Sequence, residues 1–244
     1  MPLRKVVGSI IGPSGRRLIR RLEATHFASP FRRHLIGMRA LEIGGPSDLF
    51  GDAGSLPIYS CLKSIDSVNY STRTLWNSNA VQFREALVCE GTAIPVNDAA
   101  YDCVFSSHSL EHVANPIKAL LEWKRVIRDR GLLLLILPNR HYTFDWRRPI
   151  TSMEHLREDF QRVTPETDLF HLDEILALHD LSRDLPAGTP EQFKERCLRN
   201  AEFRAMHHHV FDAETSAQLV RETGFSVVRQ DVKGINIITL ATKS

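Results

Sequence analysis

The sequence predicts an α/β fold in which a mostly parallel sheet of seven strands ends in an antiparallel edge hairpin. Short apolar runs alternate with segments of helical periodicity from Met38 onward, as parallel sheets with covering helices require. The first of these runs ends at two glycines. A polar segment with several prolines interrupts the alternation between Asn139 and Val210. We therefore expect a helical insertion after the fifth strand.

The strands are predicted from their apolar runs. Residues 39–43 form the first strand, and residues 132–137 form the fifth, since a continuous apolar run is typical of a strand covered on both faces. The last two strands can pair as an antiparallel hairpin at one edge. The remaining predicted strands are residues 60–65, 82–89, 102–106, 225–228 and 235–241.

Helices are predicted where apolar residues recur at helical spacing. Pro116 opens one helix, because a proline at the first helical position loses no hydrogen bond, and this helix stops near Gly131. Residues 213–223 form another, closed by Gly224, and the insertion contains helices at 154–160 and 172–181. The predicted organisation is a basic N-terminal helical segment (1–37) and one domain (38–244) with an inserted substrate cap (140–210).

Composition excludes several classes of protein. The chain has 244 residues, 43% of them hydrophobic and 25% charged, which is ordinary globular usage. A net charge of +2 gives no argument for a nucleic-acid partner. The four cysteines are widely spaced and predict neither a disulfide framework nor a zinc cluster, so we expect a cytoplasmic protein. The sequence does not indicate an oligomeric state.

The N-terminal segment is basic and amphipathic over residues 14–24. Leu18, Ile19 and Leu22 share one face, and arginines surround them. We expect this face to pack on the domain. The alternative is a weak contact with an anionic membrane surface, which would place the protein at the inner face of the membrane.

Four motifs carry chemistry. Glu42, Gly44 and Gly45 form a strand-to-glycine turn that lets a ligand approach the backbone closely. Asp66 follows about 20 residues later, where an acid can accept both ribose hydroxyls. The other two motifs are Cys-Glu-Gly-Thr-Ala-Ile-Pro at 89–95 and Ser-Ser-His-Ser-Leu-Glu-His-Val-Ala-Asn-Pro at 106–116.

Residues 89–139 resemble the class I S-adenosylmethionine-dependent methyltransferases, especially their small-molecule and glycan branch. The shared features, in order, are an acid followed by Ile-Pro, a Tyr-Asp-x-Val strand start, a Leu-Glu-His-Val turn and a Gly-Leu-Leu-Leu-Leu-Ile-Leu-Pro-Asn strand. The full resemblance covers about residues 38–139 and 207–243. It implies a Rossmann-like sheet, with S-adenosylmethionine as the cofactor.

The resemblance also implies site residues. Glu42, Gly44 and Gly45 fall at the methionine part of the cofactor, and Asp66 falls at the ribose. Pro46 and Asp48 stand where the family commonly has glycines, so the loop is remodelled, and Asn69 is the alternative ribose ligand. Glu90, Gly91 and Thr92 fall at the adenine edge, whereas Ser107 and His108 line the floor between cofactor and acceptor.

Some of these side chains also have a structural interpretation. Glu111 and His112 can cap the helix that begins near Pro116, and for His112 we favour the cap over catalysis. Trp123 is expected in the core. Asp102 is expected to start a strand and to interact locally.

The insertion supplies candidate acceptor-site residues. His141 and Asp145 directly follow the fifth strand and can form an oriented general base, as can His208. Arg147, Arg148 and His209 are candidate substrate ligands, and the arginines beside Trp146 suit an anionic or sugar-bearing acceptor. Plain solvation of the two arginines is an equal alternative.

We predict no metal, because no compact ligand motif appears. A site built from His207, His209 and either Asp173 or Glu174 is the less favoured alternative. The predicted activity is transfer of a methyl group to a hydroxyl of a sugar or glycan, as in polysaccharide biosynthesis. The alternatives are methylation of another small metabolite and a non-catalytic cofactor-binding module. A nicotinamide dehydrogenase is disfavoured, because Gly-x-Gly-x-x-Gly is absent.

Overall fold

The computed structural model describes residues 13–72 and 86–244. Within these ranges, seven strands form one sheet in the order β3-β2-β1-β4-β5-β7-β6. Strands β1 to β5 are parallel, whereas β7 is antiparallel to both β5 and β6, which confirms the predicted fold class. The strands are β1 (Arg39–Ile43), β2 (Ser64–Asn69), β3 (Ala86–Val88), β4 (Tyr101–Ser107), β5 (Ile127–Pro138), β6 (Phe225–Lys233) and β7 (Asn236–Lys243).

Helices cover both faces of the sheet. The α-helices described are α1 (Pro13–Leu35), α2 (Pro116–Val126), α3 (Met153–Gln161), α4 (Leu172–Leu178), α5 (Pro190–Leu198), α6 (Asn200–Phe203) and α7 (Ala213–Glu222). Between β1 and β2 the chain forms only short 3-10 turns, at Asp48–Phe50 and Tyr59–Cys61. This segment therefore contains no α-helix.

Two apolar cores lie on opposite faces of the sheet. One packs β-strand residues such as Val104 and Leu135 against α2, α3 and α7. The other packs residues such as Phe105 and Leu134 against the C-terminal half of α1 and the segment between β1 and β2. Because β1 and β4 are neighbours and the strand order reverses between them, their carboxyl ends border the crevice where open α/β sheets bind ligands.

Several predicted bounds differ from the structure. The helix expected to stop near Gly131 ends at Val126, and the strand expected at 225–228 runs to Lys233. The second strand was expected at residues 60–65, but Tyr59–Cys61 is a 3-10 turn and β2 runs from Ser64 to Asn69. The strand therefore ends four residues later than predicted. Of the predicted third strand, residues 82–85 lie outside the described residues, and β3 spans Ala86–Val88.

Helix α1 packs through a face other than the predicted one. Leu18 and Leu22 are 59% and 61% exposed, and Ile19 is exposed too. The buried residues lie further along the helix, at Phe31 and Leu35 among others. The expectation that the stripe at 18–22 packs on the domain is wrong, because the sheet reaches only the last three turns of the helix.

The insertion contacts the loops that follow β2 and β4. The Tyr70 hydroxyl, just after β2, donates to the Phe203 carbonyl at 2.9 Å. The Asn115 amide before α2 donates to the Asp159 carbonyl of α3 at 2.9 Å. The insertion also has a small apolar core of its own. No helix in the described ranges is long and apolar enough to cross a bilayer.

Candidate active site

The glycine turn after β1 passes directly under the loop that follows β4. Gly44 has a φ of +79°, a conformation that favours glycine. A Cβ there would lie 2.1 Å from Ser109 Oγ, and a Cβ at Gly45 would lie 2.3 Å from Glu42 Cδ. Both positions therefore favour glycine, because neighbouring side chains fill the space that a Cβ would take.

Glu42 is completely buried beside this turn. Its carboxyl group accepts hydrogen bonds from the Tyr59 hydroxyl at 2.6 Å and the Ser47 N–H at 3.1 Å. Burial raises the pKa of Glu42 to about 8, although these two hydrogen bonds oppose the shift. Glu42 thus holds the remodelled loop in place, and its contact with a cofactor stays a prediction, as does that of Gly44 and Gly45.

Asp66 does not lie where a ribose ligand is expected. It is paired with Leu41 within the sheet rather than at the carboxyl end, and it accepts a hydrogen bond from the Tyr101 hydroxyl at 3.0 Å. Asn69, the predicted alternative, is the last residue of β2, and its amide donates to the Gly45 carbonyl at 2.7 Å. The later end of β2 therefore replaces Asp66 with Asn69 at the crevice.

The predicted adenine edge follows β3. Glu90 pairs with Arg204 from the insertion, with 2.6 Å between Oε1 and Nη2. The Gly91 carbonyl accepts from the indole N–H of Trp123 at 2.8 Å, and Trp123 is fully buried, as expected for a core residue. Thr92 is partly exposed beside them. Adenine binding by Glu90, Gly91 and Thr92 stays a prediction.

Ser107 and His108 end β4 at the same crevice. Ser107 accepts a hydrogen bond from the Ser47 hydroxyl at 3.2 Å. His108 has a φ of +52°, and its Nε2 lies 2.7 Å from Asn236 Oδ1. With the amide placed this way, Nε2 carries the proton and Nδ1 has a free lone pair. This Nδ1 lies 3.8 Å from Glu111 Oε1.

The predicted His141–Asp145 base does not form. His141 is exposed, whereas Asp145 is buried and binds His207 Nδ1 at 2.5 Å and Arg148 Nη1 at 3.0 Å. Burial alone would raise the pKa of Asp145, but the charges of His207 and Arg148 lower it to about 2. Burial likewise opposes the charged form of His207, yet Asp145 raises the pKa of that imidazole. Asp145 therefore orients His207, not His141.

Glu111, His112 and His207, hereafter the Glu111 group, come together under the insertion. One nitrogen or carboxylate oxygen of each lies within 4.8 Å of the others. Glu111 is fully buried, and neither of its oxygens has a hydrogen-bond partner. Burial raises the pKa of this carboxyl group and lowers that of His112 well below the usual range.

The structural interpretation of Glu111 and His112 as helix caps is wrong. Helix α2 is capped by Asn115, whose Oδ1 accepts from the Lys118 N–H at 3.0 Å. His112 instead places Nδ1 3.1 Å from the Met206 carbonyl. Both residues belong to a short 3-10 turn, Leu110–His112, that precedes the helix.

His208 and His209 are both buried away from the Glu111 group. His208 Nε2 lies 3.2 Å from the Asn200 amide nitrogen, and burial lowers the pKa of His208 to about 3. A general-base role for His208 is therefore contradicted, because Asn200 occupies the ring nitrogen. His209 is 1% exposed and contacts the Ala114 carbonyl at 3.3 Å, so it offers no surface to a substrate.

His155, His171 and His209 form a second cluster, hereafter the His155 group. The Nε2 atoms of His155 and His171 lie 2.9 Å apart, and Asp159 Oδ2 is 3.3 Å from His155 Nε2. The alternative metal set of His207, His209 and an acid from α4 is not assembled. His207 and His209 belong to different groups, and Glu174 pairs with Arg148 at 2.8 Å.

The two adjacent arginines have different environments. Arg148 is 1% exposed and binds Asp145, Glu174 and the carbonyls of His207 and His208. Its predicted substrate contact is wrong, because the side chain is buried and makes four hydrogen bonds inside the protein. Arg147 is exposed, lies over the Trp146 ring at 4.9 Å, and remains a candidate substrate ligand.

Part of this chain is similar to known methyltransferases. Residues 53–135, about a third of the chain, match the family model described as a methyltransferase domain. A comparison with curated protein sequences gives no match. A methyltransferase structure from Methanosarcina mazei is 16% identical, with a TM-score of 0.50, and the alignment covers 88% of this chain and 96% of that one. One from Aquifex aeolicus is 14% identical over 98% of both chains, with a TM-score of 0.47.

The crevice fits the cofactor that this family uses, S-adenosylmethionine. The turn at Gly44 lies at the carboxyl end of β1, where Ser109 leaves no room for a side chain. Asn69 lies beside the turn, and Glu90 lies at the next strand end with a half-exposed carboxylate. These are the positions at which open α/β sheets hold nucleotides.

Proposed function

We propose that this chain, whose family match and fold support an S-adenosylmethionine-dependent methyltransferase, methylates a hydroxyl group of a sugar or glycan. The observation that carries the proposal is the Glu111 group. An apolar or aromatic acceptor would be matched by apolar side chains, whereas a buried carboxylate and two imidazoles cost free energy unless a polar ligand uses them.

Exposed aromatic and basic side chains lie near Asp145 in the chain, and Asp145 contacts His207. Tyr142 and Trp146 are 63% and 40% exposed, in the segment that leads from β5 to Asp145. Arg147 and Arg183 lie over the Trp146 ring at 4.9 and 5.1 Å. Aromatic faces and arginine forks suit a saccharide that carries an anionic group, such as a nucleotide sugar or a lipid-linked glycan.

The chain's own residues align the acceptor and receive its proton. When bound, S-adenosylmethionine supplies the activated methyl group, whose bond to sulfur breaks as the bond to the acceptor oxygen forms. His112, the partly exposed member of the Glu111 group, holds that oxygen from one side. His108 Nδ1, 3.8 Å from Glu111 Oε1, takes the hydroxyl proton and passes it to solvent, since its side chain is 33% exposed.

The proposal is tested with the purified protein, S-adenosylmethionine and a panel of nucleotide sugars and oligosaccharides, with products identified by mass spectrometry. We expect a methylated saccharide, and a loss of about 10²- to 10⁴-fold in kcat for His108→Ala with cofactor affinity unchanged by calorimetry. His141→Ala is the matched control and should keep its activity. Methylation only of a protein, an RNA or a non-saccharide metabolite would overturn the proposal, and cofactor binding without any product would favour a binding module.

A further inference from the structure

We propose that Glu111, His112 and His207 bind a divalent transition-metal ion. The starting observation is the carboxylate of Glu111, which is fully buried and has no hydrogen-bond partner on either oxygen. A buried ionised carboxylate costs several kcal/mol unless an opposite charge compensates for it. A cation placed between Glu111 and the two imidazoles would provide that charge.

Both histidines have one ring nitrogen fixed and the other available. The Met206 carbonyl can only accept, so His112 Nδ1 carries the proton and Nε2 has the lone pair. The Asp145 carboxylate likewise accepts from His207 Nδ1. Metal-binding histidines almost always show this arrangement, in which a carbonyl or carboxylate holds the nitrogen opposite the metal.

The distances within the Glu111 group suit shared coordination better than direct hydrogen bonds. His207 Nε2 lies 3.9 Å from Glu111 Oε1, which is too long for a hydrogen bond. Two ligands at about 2.1 Å from one ion lie about 3 to 4 Å apart, depending on the angle at the metal. The three ligand atoms, all within 4.8 Å of one another, leave room for an ion between them.

The ligand types indicate the ion and its role. Two imidazoles and one carboxylate suit zinc, manganese or iron(II), and a site with three protein ligands keeps coordination positions open. The role of the ion rests on the proposed function: an open position would bind the acceptor oxygen and lower the pKa of its hydroxyl, which eases proton transfer to His108. Metal binding itself does not depend on the identity of the acceptor.

The His155 group is the competing location. In this group the Nε2 atoms of His155 and His171 lie 2.9 Å apart, whereas His209 has one ring nitrogen held by the Ala114 carbonyl, as the histidines of the Glu111 group have theirs held. Among the hydrogen bonds of the described residues, none to a carbonyl or carboxylate holds the second ring nitrogen, Nδ1, of His155 or of His171. The fixed imidazole orientations therefore favour the Glu111 group as the metal site.

The test is metal binding by the full-length protein. The purified protein is treated with a chelator and dialysed against Mn²⁺ or Zn²⁺, and metal content is measured by inductively coupled plasma mass spectrometry. We expect about one ion per chain, a rise in the melting temperature on addition of metal, and loss of both in Glu111→Gln and His112→Ala. His141→Ala and His171→Ala are the matched controls and should bind as the wild type does.

Three outcomes would overturn the inference that the Glu111 group binds the ion. One is a wild-type protein that binds neither metal, and another is binding that survives in both Glu111→Gln and His112→Ala. Loss in His171→Ala with retention in Glu111→Gln would move the ion to the His155 group. Should a variant fail to fold, a Mn²⁺ electron paramagnetic resonance spectrum of the wild type shows whether nitrogen ligands are present. These readouts need no acceptor, so a failure of the saccharide screen leaves them intact.

Discussion

The Glu111 group and the His155 group contain similar side chains but hold them differently. In the Glu111 group, each imidazole has one nitrogen fixed by an acceptor outside the group, Asp145 or the Met206 carbonyl. In the His155 group, His155 and His171 contact each other through their Nε2 atoms. Residue types alone therefore do not define a ligand site. The hydrogen-bond acceptor on one nitrogen of an imidazole sets the direction of the lone pair on the other.

The largest expected effect comes from removing the buried support of the Glu111 group. Arg148→Ala leaves the buried carboxylate of Asp145 without one of its two partners and should lower the free energy of unfolding by about 3 to 5 kcal/mol. The neighbouring Arg147→Ala removes an exposed side chain and should change it by no more than about 0.5 kcal/mol. Urea denaturation measures both, and equal effects would show that Arg148 is not the support of this group.

The second prediction concerns the metal affinity of the two groups. Asp145→Asn keeps the shape of the residue behind His207 but weakens its orientation, so metal affinity should fall about 10- to 100-fold. Asp159→Asn makes the same change in the His155 group and should leave metal affinity unaltered. Competition with a chromophoric chelator measures both affinities. A larger loss in Asp159→Asn would reverse the assignment.

The third prediction concerns the pH dependence of the His155 group. Burial first, and then the neighbouring His155 and Arg148, lower the pKa of His171 to about 4, against the opposing charge of Glu174. Because the folded pKa lies below the unfolded one, the stabilisation is complete above about pH 6.5 and is lost as the pH falls toward 4. Since His171 is partly exposed, we expect a loss of only about 1 to 2 kcal/mol over this range.

His171→Asn removes the titrating group and keeps a residue that favours the helix start at which His171 lies. The difference in unfolding free energy between wild type and His171→Asn, measured from pH 7 to pH 4, should follow this window. A difference that does not vary with pH would contradict the neutral state of His171 in the folded protein.

The smallest effect on stability is expected far from both groups. Leu18→Ser combined with Leu22→Ser changes exposed side chains of α1 and should alter the free energy of unfolding by no more than about 0.5 kcal/mol. The same variant should bind anionic phosphatidylserine vesicles more weakly than the wild type if this basic face contacts membranes. Phosphatidylcholine vesicles are the control. Equal binding of wild type and variant would exclude that contact.

The sheet could be predicted from the sequence because its signals are local. The apolar run from Leu132 to Leu137 and the helix start at Pro116 each define an element without reference to the rest of the chain. The second strand was placed too early because residues 59–61 form a 3-10 turn with an apolar composition similar to that of a strand. That shift assigned Asp66 to the crevice, where Asn69 lies.

The site was harder to predict because it depends on contacts between distant segments. Three consecutive histidines at 207–209 have no pattern that tells which one meets Asp145. Only the fold shows that His207 does, that His208 meets Asn200, and that His209 turns toward α3. The Leu-Glu-His turn was the one available signal for Glu111 and His112, and a helix cap explained it equally well.

The bond between His112 and the Met206 carbonyl joins residues 94 positions apart, and that between Asp145 and His207 spans 62. Loops of this length close slowly, and their contacts form only after the intervening chain has packed. The Glu111 group therefore cannot exist in a nascent chain whose synthesis has reached only the fifth strand. The group forms only once the insertion has folded back onto the sheet. Its ligand-binding chemistry therefore depends on the completed tertiary structure.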